Sequence, residues 1–345
     1  MKAGRPLMSL NVLMTAGSRR VPLLEGLRRA LRDLRLAGSI HVGDVNPLSP
    51  AMQIADRAHL VPLSNDPGYI DHILELCQRE RIGLVVPTID DELPIFSEAR
   101  TRFEDEGIRV AVSDGFVTSL CNDKFATSAY LRERGVAAAD AWLPDTIPAD
   151  VKFPVFVKPR FGRGSVGAFS AHDRRQLEFF LSYVPGAVVQ EYLSGTEYTI
   201  DLFCDFEGRP LSVVPRERAV IRAGVIDRGR TVADRSLIDL ALQCAAVLEF
   251  KGACNIQCRV VSGRPVIFEI NPRFSGGIPL TIASGADFPR MLVELAVGRH
   301  VEPAIGRFTA ELWMTSYESS FFVDAARLAA LTERASPARR RRSVA

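Results

Sequence analysis

Four polar side chains cluster late in the chain: Gln257, Glu269, Asn271 and Arg273. They lie in Cys254-Asn255-Ile256-Gln257-Cys258 and Ile267-Phe268-Glu269-Ile270-Asn271-Pro272-Arg273. Strand side chains alternate faces, so Asn255 and Gln257 share one face and Cys254, Ile256 and Cys258 the other. By the same rule Glu269 and Asn271 share a face, opposed by Phe268 and Ile270. The turn Ser262-Gly263-Arg264 predicts an antiparallel hairpin, which brings Gln257, Glu269 and Asn271 onto one surface. An all-oxygen set of this kind suits a hard cation such as Mg²⁺, with substrate phosphates supplying further ligands. Arg273 adds a forked cation for a phosphoryl oxygen. A solvated sheet face would explain one such residue, but not a Glu, two amides and an Arg on otherwise apolar strands.

A second group lies upstream. Lys158 ends the strand-like run Pro154-Val155-Phe156-Val157-Lys158-Pro159, and Gly162-Arg163-Gly164-Ser165-Val166-Gly167 follows. The loop reads G-x-G-x-x-G, but Ala168-Phe169-Ser170 after it predicts a returning strand, not the helix that a Rossmann fingerprint opens. The Gly-Lys-Ser/Thr of a Walker loop is absent. In kinases the glycine loop precedes its lysine, the reverse of the order here. What remains is a hairpin tip rich in amide donors beside a lysine, able to fold over polyphosphate. A plain hairpin turn fits the same glycines.

The elements that must position these groups fall into two styles. Strands at 10–14, 39–45, 84–87 and 108–112 alternate with helices through Leu23 and Leu34, at 69–80 and at 93–106. That alternation predicts a parallel sheet with ligand-binding loops at its carboxyl ends, at 15–20, 44–47 and 87–92. From about 119 the style changes. A helix at 122–134 capped by Gly135 is followed by a linker marked by Pro144 and Pro148. Strands are expected at 154–159, 168–170, 187–191, 197–205, 210–214, 253–261 and 264–270, with helices at 173–182, 234–249 and 287–297.

Composition narrows the function classes. The 345 residues carry 43 Lys+Arg against 41 Asp+Glu, a net charge of +2. Arg339, Arg340, Arg341 and Arg342 account for the surplus, so the body is no nucleic-acid-binding surface. No apolar run is long enough to span a membrane, and the first eight residues do not resemble a signal peptide. Six cysteines without disulfide or zinc spacing predict buried thiols in a reducing, cytoplasmic setting. The histidines (41, 59, 72, 172 and 300) show no grouping and read as surface or structural residues. Only five of the basic residues are lysines: Lys2, Lys124, Lys152, Lys158 and Lys251.

Taken together, these motifs resemble the ATP-grasp superfamily, and most closely the short-form relatives of the carbamoyl-phosphate synthase large chain, over residues 10–323. The resemblance implies an α/β (α+β) fold in three parts. These are an N-terminal Rossmann-like parallel sheet domain (1–118), a small central lid domain (119–187) and a C-terminal, mostly antiparallel domain (188–323), with ATP between the last two. Residues 324–345 read as a basic, flexible tail. Asn122-Asp123-Lys124 resembles the family's opening helix, whose lysine contacts phosphate; Lys158 resembles the second phosphate lysine; Gly162, Gly164, Ser165 and Gly167 resemble the phosphate loop. Gln190, Glu191, Tyr192, Leu193 and Glu197 resemble the adenine hinge. The resemblance implies that the backbone of Glu191 and Leu193 pairs with adenine, that Gln190 lies near its amino group, and that Glu197 holds the ribose hydroxyls. Glu269, Asn271 and Gln257 would hold Mg²⁺, or Mn²⁺, with Arg273 at the transferred phosphate. Such relatives often carry an arginine where Ser316 stands.

The implied chemistry is phosphorylation of a small-molecule carboxylate, possibly an amino acid, to an acylphosphate, which an amine or thiol then attacks. A small-molecule kinase and a catalytically silent ATP-binding regulator are the alternatives. Arg216 and Arg218, in an arginine-rich stretch that also reads as a solvated loop, are candidates for the carboxylate or acylphosphate. Ser18, Arg19, Asp90, Asp91 and Glu92 form a candidate site for an amino group. Ser275-Gly276-Gly277 either offers backbone amides to an oxyanion or only turns the chain. A homodimer is the expected assembly on general grounds.

Overall fold

A computed structural model describes residues 9–162, 166–222 and 224–333. The chain forms two compact units. The first opens with β1 (Asn11–Thr15), α1 (Val21–Asp33), β2 (Ile40–Asp44), α2 (Pro50–Ile54), β3 (Arg57–Leu60), α3 (Tyr69–Glu80), β4 (Ile82–Val86), α4 (Leu93–Glu104) and β5 (Arg109–Val110). Its parallel sheet has the order β3-β2-β1-β4-β5. Val12, Leu13 and Met14 are wholly buried, as an unbroken apolar run requires when helices cover both faces of a sheet. Two elements escape the sequence patterns. The strand β3 is an edge strand of only four residues, and α2 is only five residues long.

The second unit contains α5 (Gly115–Asn122), α6 (Lys124–Glu133), β6 (Ala141–Trp142), β7 (Val155–Pro159), β8 (Phe169–Ala171), α7 (Arg174–Tyr183), β9 (Ala187–Glu191), β10 (Thr196–Cys204), β11 (Pro210–Arg222), β12 (Val225–Thr231), α8 (Arg235–Val247), β13 (Gly252–Val261), β14 (Arg264–Asn271) and α9 (Ile278–Ala283). It is followed by α10 (Phe288–Ala296), β15 (Trp313–Thr315) and α11 (Ala325–Glu333). A small sheet has the order β6-β9-β7-β8; a larger one runs β14-β13-β10-β11-β12-β15, all of its pairings antiparallel.

Three boundaries differ from the sequence expectation. The strand β9 hydrogen-bonds to β6 and β7, so the small sheet runs on to Glu191 instead of ending at 187. Helices α5 and α6 pack on the large sheet through Val117, Cys121 and Leu131. They are two helices, because Asp123 breaks the run and caps α6, accepting from the amides of Phe125 and Ala126 at 3.1 and 3.0 Å. Finally, Asp287–Val301 belongs to the first unit, where the buried residues Phe288, Leu292 and Val293 of α10 accompany its contact with α1. The segment expected as a tail begins with α11, and Arg339 to Arg342 lie outside the described residues. No helix among the described residues is long and apolar enough to cross a membrane. All six cysteines are buried thiols.

The large sheet has two unlike faces. Ile200, Leu202, Val213, Cys254, Ile256 and Cys258 form one with α8. The other face is polar, and its anchor is an ion pair: Arg216 donates through Nε and Nη2 to Asp201 at 2.8 and 2.9 Å, with both side chains almost fully buried. Thr281 also donates to Asp201, and Ser275 Oγ accepts from Arg216 at 3.0 Å. Removing one partner strands a buried charge. Asp201→Ala is therefore expected to lower stability by about 3 kcal/mol in urea unfolding, more than Thr281→Ala does.

Candidate active site

The polar face of the large sheet meets the small sheet around a cavity of about 270 Å³. Alternation delivers the residues. The register pairs Gln257 with Glu269 and Asn255 with Asn271, while Thr199 of β10 pairs with both Gln257 and Arg216. The hairpin turn is Ser262-Gly263, both with positive φ (49° and 77°), the conformation that two-residue hairpins favour. A register shift between Gln257 and Cys258 leaves Phe268 as an extra residue on β14. The bulge turns Phe268 into the cavity beside Glu269, although strict alternation places it on the opposite face.

Eleven of the residues expected from the sequence line this cavity: Lys124, Lys158, Gly162, Gln190, Glu191, Tyr192, Leu193, Glu197, Arg218, Gln257 and Glu269. Lys158 is 6% exposed, and its ammonium lies 5.8 and 5.5 Å from the ring centres of Phe156 and Phe268. Its only hydrogen bond among the described residues is a long one, 3.4 Å, to the carbonyl of Phe268. Burial pushes its pKa down to about 8; Glu269 and Glu197 oppose the shift and Lys124 adds to it. Lys124 donates to the carbonyl of Gly162 at 2.6 Å. Arg160, at the end of β7, forks onto Asp123 and so ties the glycine loop to the start of α6.

At the end of β14 the polar groups form a chain. Asn271 Nδ2 donates to Glu269 Oε1 at 3.2 Å, and Arg273 Nη2 donates to Asn271 Oδ1 at 3.1 Å. Asn271 and Arg273 stand just beyond the cavity lining. Glu197 receives Arg218 on one oxygen and Arg259 on the other, each at 2.7 Å. Arg218 also donates to Gln257 Oε1 at 3.0 Å and to the carbonyl of Gly224. Gln257 thus offers its oxygen to an arginine, not to an open site.

Other expectations are corrected. Arg216 does not reach the cavity, because Asp201 on the neighbouring strand takes its fork. Among the described residues its Nη1 is the buried side-chain nitrogen without a hydrogen-bond partner. A Cβ on Gly277 would stand 2.3 Å from that atom, which is why the Ser275-Gly276-Gly277 turn needs glycine there. The arginine-rich stretch is a strand pair, β11 and β12, not a loop; a sequence of alternating charges conceals it. Ser316 follows β15 and donates its amide to Asp227. Gly167 has φ +71° and lies against Pro159, while Gly164 and Ser165 lie outside the described residues. In the first unit Glu92 is buried, accepting from Tyr69 at 2.5 Å and Thr15 at 2.8 Å, and burial raises its pKa to about 7. Asp44 accepts from the Ser18 amide at 2.7 Å. Glu92 therefore braces the sheet and does not present a charge to a ligand.

Sequence reasoning missed Arg259, Phe156 and Phe268 as cavity residues. Arg259 was within reach, being two residues after Gln257 on the same strand face. Phe268 was not, because nothing in the local sequence announces the bulge.

Comparison with known proteins places this geometry. Residues 184–318 match the family described as ATP-grasp in the biosynthetic pathway with Ter operon, and residues 12–111 match the PylC-like N-terminal domain. The arginine-specific large chain of carbamoyl phosphate synthase from Bacillus subtilis is 25% identical over 251 residues, covering 68% of this chain and 24% of that protein. The chain thus spans about a quarter of the length of the curated relatives it matches. Among solved structures, the biotin carboxylase domain of Hydrogenobacter thermophilus 2-oxoglutarate carboxylase, in complex with MgADP and bicarbonate, superposes with a TM-score of 0.67 at 15% identity, over 88% of this chain and 73% of that one. The L-amino acid ligase from Bacillus licheniformis gives 0.64 at 16% identity, over 85% and 75%.

The state of Lys158 has a measurable consequence. Its folded pKa, about 8, lies below the ordinary value of 10.5. The unfolded chain therefore binds more protons between those values, and stability contributed by this group rises as pH climbs through that window. Lys158→Met is expected to keep the fold, to be at least as stable as the wild type at pH 7, and to lose the gain in stability between pH 8 and 10. Urea unfolding of both proteins across that range checks it.

Proposed function

The chain belongs to the ATP-grasp superfamily, and from that premise we propose that it is an ATP-dependent, ADP-forming ligase that joins a small-molecule carboxylate to an amine. The observation that carries the reading is the juxtaposition at one cavity of a buried, under-compensated ammonium (Lys158), a second lysine bonded to the glycine loop (Lys124), and Glu269, from which a hydrogen-bonded row runs on to Asn271 and Arg273 just beyond the lining. A polyphosphate supplies the charge that Lys158 lacks.

The proposed roles follow from position. Phe156, Phe268 and Leu193 provide apolar surface for a base, and Gln190 and the backbone at Glu191 and Leu193 provide polar edges. Glu197 keeps lone pairs beyond the two that its arginines use, enough to accept a ribose hydroxyl. The donor set of Glu269, Asn271 and Gln257, its two amide oxygens once Arg273 and Arg218 release them, is all oxygen and fits Mg²⁺. When bound, that ion neutralises phosphate oxygens and orients them. Lys124 and Lys158 hold the phosphates, and Arg273 lies next in line for the oxygen that receives the phosphoryl group. A carboxylate oxygen attacks the γ-phosphorus and ADP leaves. The amine then attacks the acyl carbon, expelling inorganic phosphate. No side-chain nucleophile is needed, so positioning and charge neutralisation supply the catalysis. Arg216 acts through the sheet as a positioning residue, and Arg218 ties Glu197 to Gln257. The similarity to an L-amino acid ligase supports an amino acid as one substrate.

The test is ADP release from Mg²⁺-ATP across a panel of carboxylic acids, with and without amines. Amine-dependent release is expected, falling at least about 100-fold in Lys158→Ala and in Glu269→Gln. Amine-independent release with a stable phosphorylated product would instead favour a small-molecule kinase. No turnover in any combination, with ATP affinity unchanged by Glu269→Ala and Asn271→Ala, would leave a silent nucleotide binder.

A further inference from the structure

The first unit holds a cluster that the ligase chemistry does not use. Parallel pairing sets His41 of β2 opposite Arg57 and Gly43 opposite His59, which leaves the two histidines diagonal neighbours on one face. Helix α3 covers that face and ends at Glu80. One ligand atom from each of His41, His59 and Glu80 lies within 4.8 Å of the other two. The imidazoles are 8° from parallel, with His41 Nδ1 3.0 Å from His59 Nε2.

The surrounding hydrogen bonds decide which nitrogen of His41 carries the proton. Asn11 Nδ2 donates to the carbonyl of Glu80 at 2.9 Å, and the Ser39 amide donates to Asn11 Oδ1 at 3.0 Å. That fixes the amide with Oδ1 as acceptor. Ser39 Oγ, 3.0 Å from the same oxygen, therefore spends its one proton there. Toward His41 Nε2, at 2.9 Å, Ser39 Oγ is left to accept. His41 is accordingly the Nε2–H tautomer, and its Nδ1 presents a lone pair to His59. Burial lowers the pKa of both rings, that of His59 to about 4, so both are neutral at pH 7.

We propose that His41 Nδ1, His59 Nε2 and a Glu80 carboxylate oxygen bind a divalent transition-metal ion, with Zn²⁺ the best match. Two neutral imidazoles and one carboxylate form a recurrent three-ligand zinc set, with the fourth position open to water. Zinc at about 2.0–2.1 Å from each nitrogen needs them roughly 3.3 Å apart, close to the separation present. His41 already has the outer partner that a metal-bound imidazole needs, Nε2–H donated to a hydroxyl held by an amide. On binding, His59 Nε2 gives up its hydrogen bond to His41 and the ring takes the Nδ1–H tautomer, so no proton leaves the protein. Arg57 and Arg79, which pair with Glu80 at 3.2 and 3.3 Å, are more than half exposed and can swing away. Neither nucleotide nor Mg²⁺ is required.

The test titrates the full chain with Zn²⁺ in ATP-free buffer by calorimetry. The expected result is one site with a Kd of about 1 µM or tighter and a rise in Tm with zinc. Both should be lost in His59→Gln and in Glu80→Gln, while the far-ultraviolet circular dichroism spectrum and cooperative urea unfolding in zinc-free buffer, measures of intact fold, are retained. Co²⁺ added to the wild type should give the intense visible bands of a four-coordinate site, which keeps the proposal testable if His59→Gln does not fold. Affinity weaker than about 100 µM, wild-type affinity in either variant, or a Co²⁺ spectrum typical of six-coordinate, all-oxygen ligation would overturn it.

Discussion

An ammonium group buried without an anion of its own is the constraint around which the second unit is arranged. Lys158 lies among Phe156, Phe268 and the carbonyl of Phe268, and its nearest compensation is the field of Glu269 and Glu197. Burial of that kind costs stability unless something pairs with the charge. The surrounding structure supports it: β7 lies between β8 and β9, and Arg160 locks the strand's end to the cap of α6.

The rest of the site follows from the alternation of one antiparallel sheet. A single polar face carries Glu197, Asp201, Arg216, Arg218, Gln257, Arg259, Glu269 and Asn271, while the reverse face is apolar and closed by α8. Putting so many charges on one sheet face requires internal pairing. Two such pairings divide the labour: Asp201 with Arg216 is sealed and structural, whereas Glu197 with Arg218 and Arg259 borders the cavity. The β14 bulge then adds Phe268 as apolar surface between charged neighbours. The first unit uses its buried carboxylate differently: Glu92 joins Tyr69 of α3 to Thr15 of β1.

Much of this was legible from residues close in sequence. The Gln257, Glu269 and Asn271 surface followed from period-two alternation across a two-residue turn, and the parallel sheet from apolar runs separated by amphipathic helices. What the sequence hid depended on long-range partners. Arg216 and Arg218 look alike in the chain; only the strand paired beside them makes one structural and the other part of the cavity. The histidines at 41 and 59 look scattered because eighteen positions separate them, yet parallel pairing of β2 and β3 makes them neighbours. The strand β12 was concealed by its charges. The helix α10 was legible at 287–297, but its membership of the first unit was not, because the chain path returns there.

If a polyphosphate completes the buried Lys158 ammonium, binding must also complete its protonation. The direct measurement is calorimetric titration of Mg²⁺-ATP at pH 8.5 in buffers of different ionisation enthalpy, which counts protons taken up on binding. With Lys158 near pKa 8 before binding and fully charged after it, the wild type should take up more than about half a proton per ATP, and Lys158→Met should take up none. ATP binding with no proton uptake by the wild type, or with the same uptake by the variant, would contradict the account.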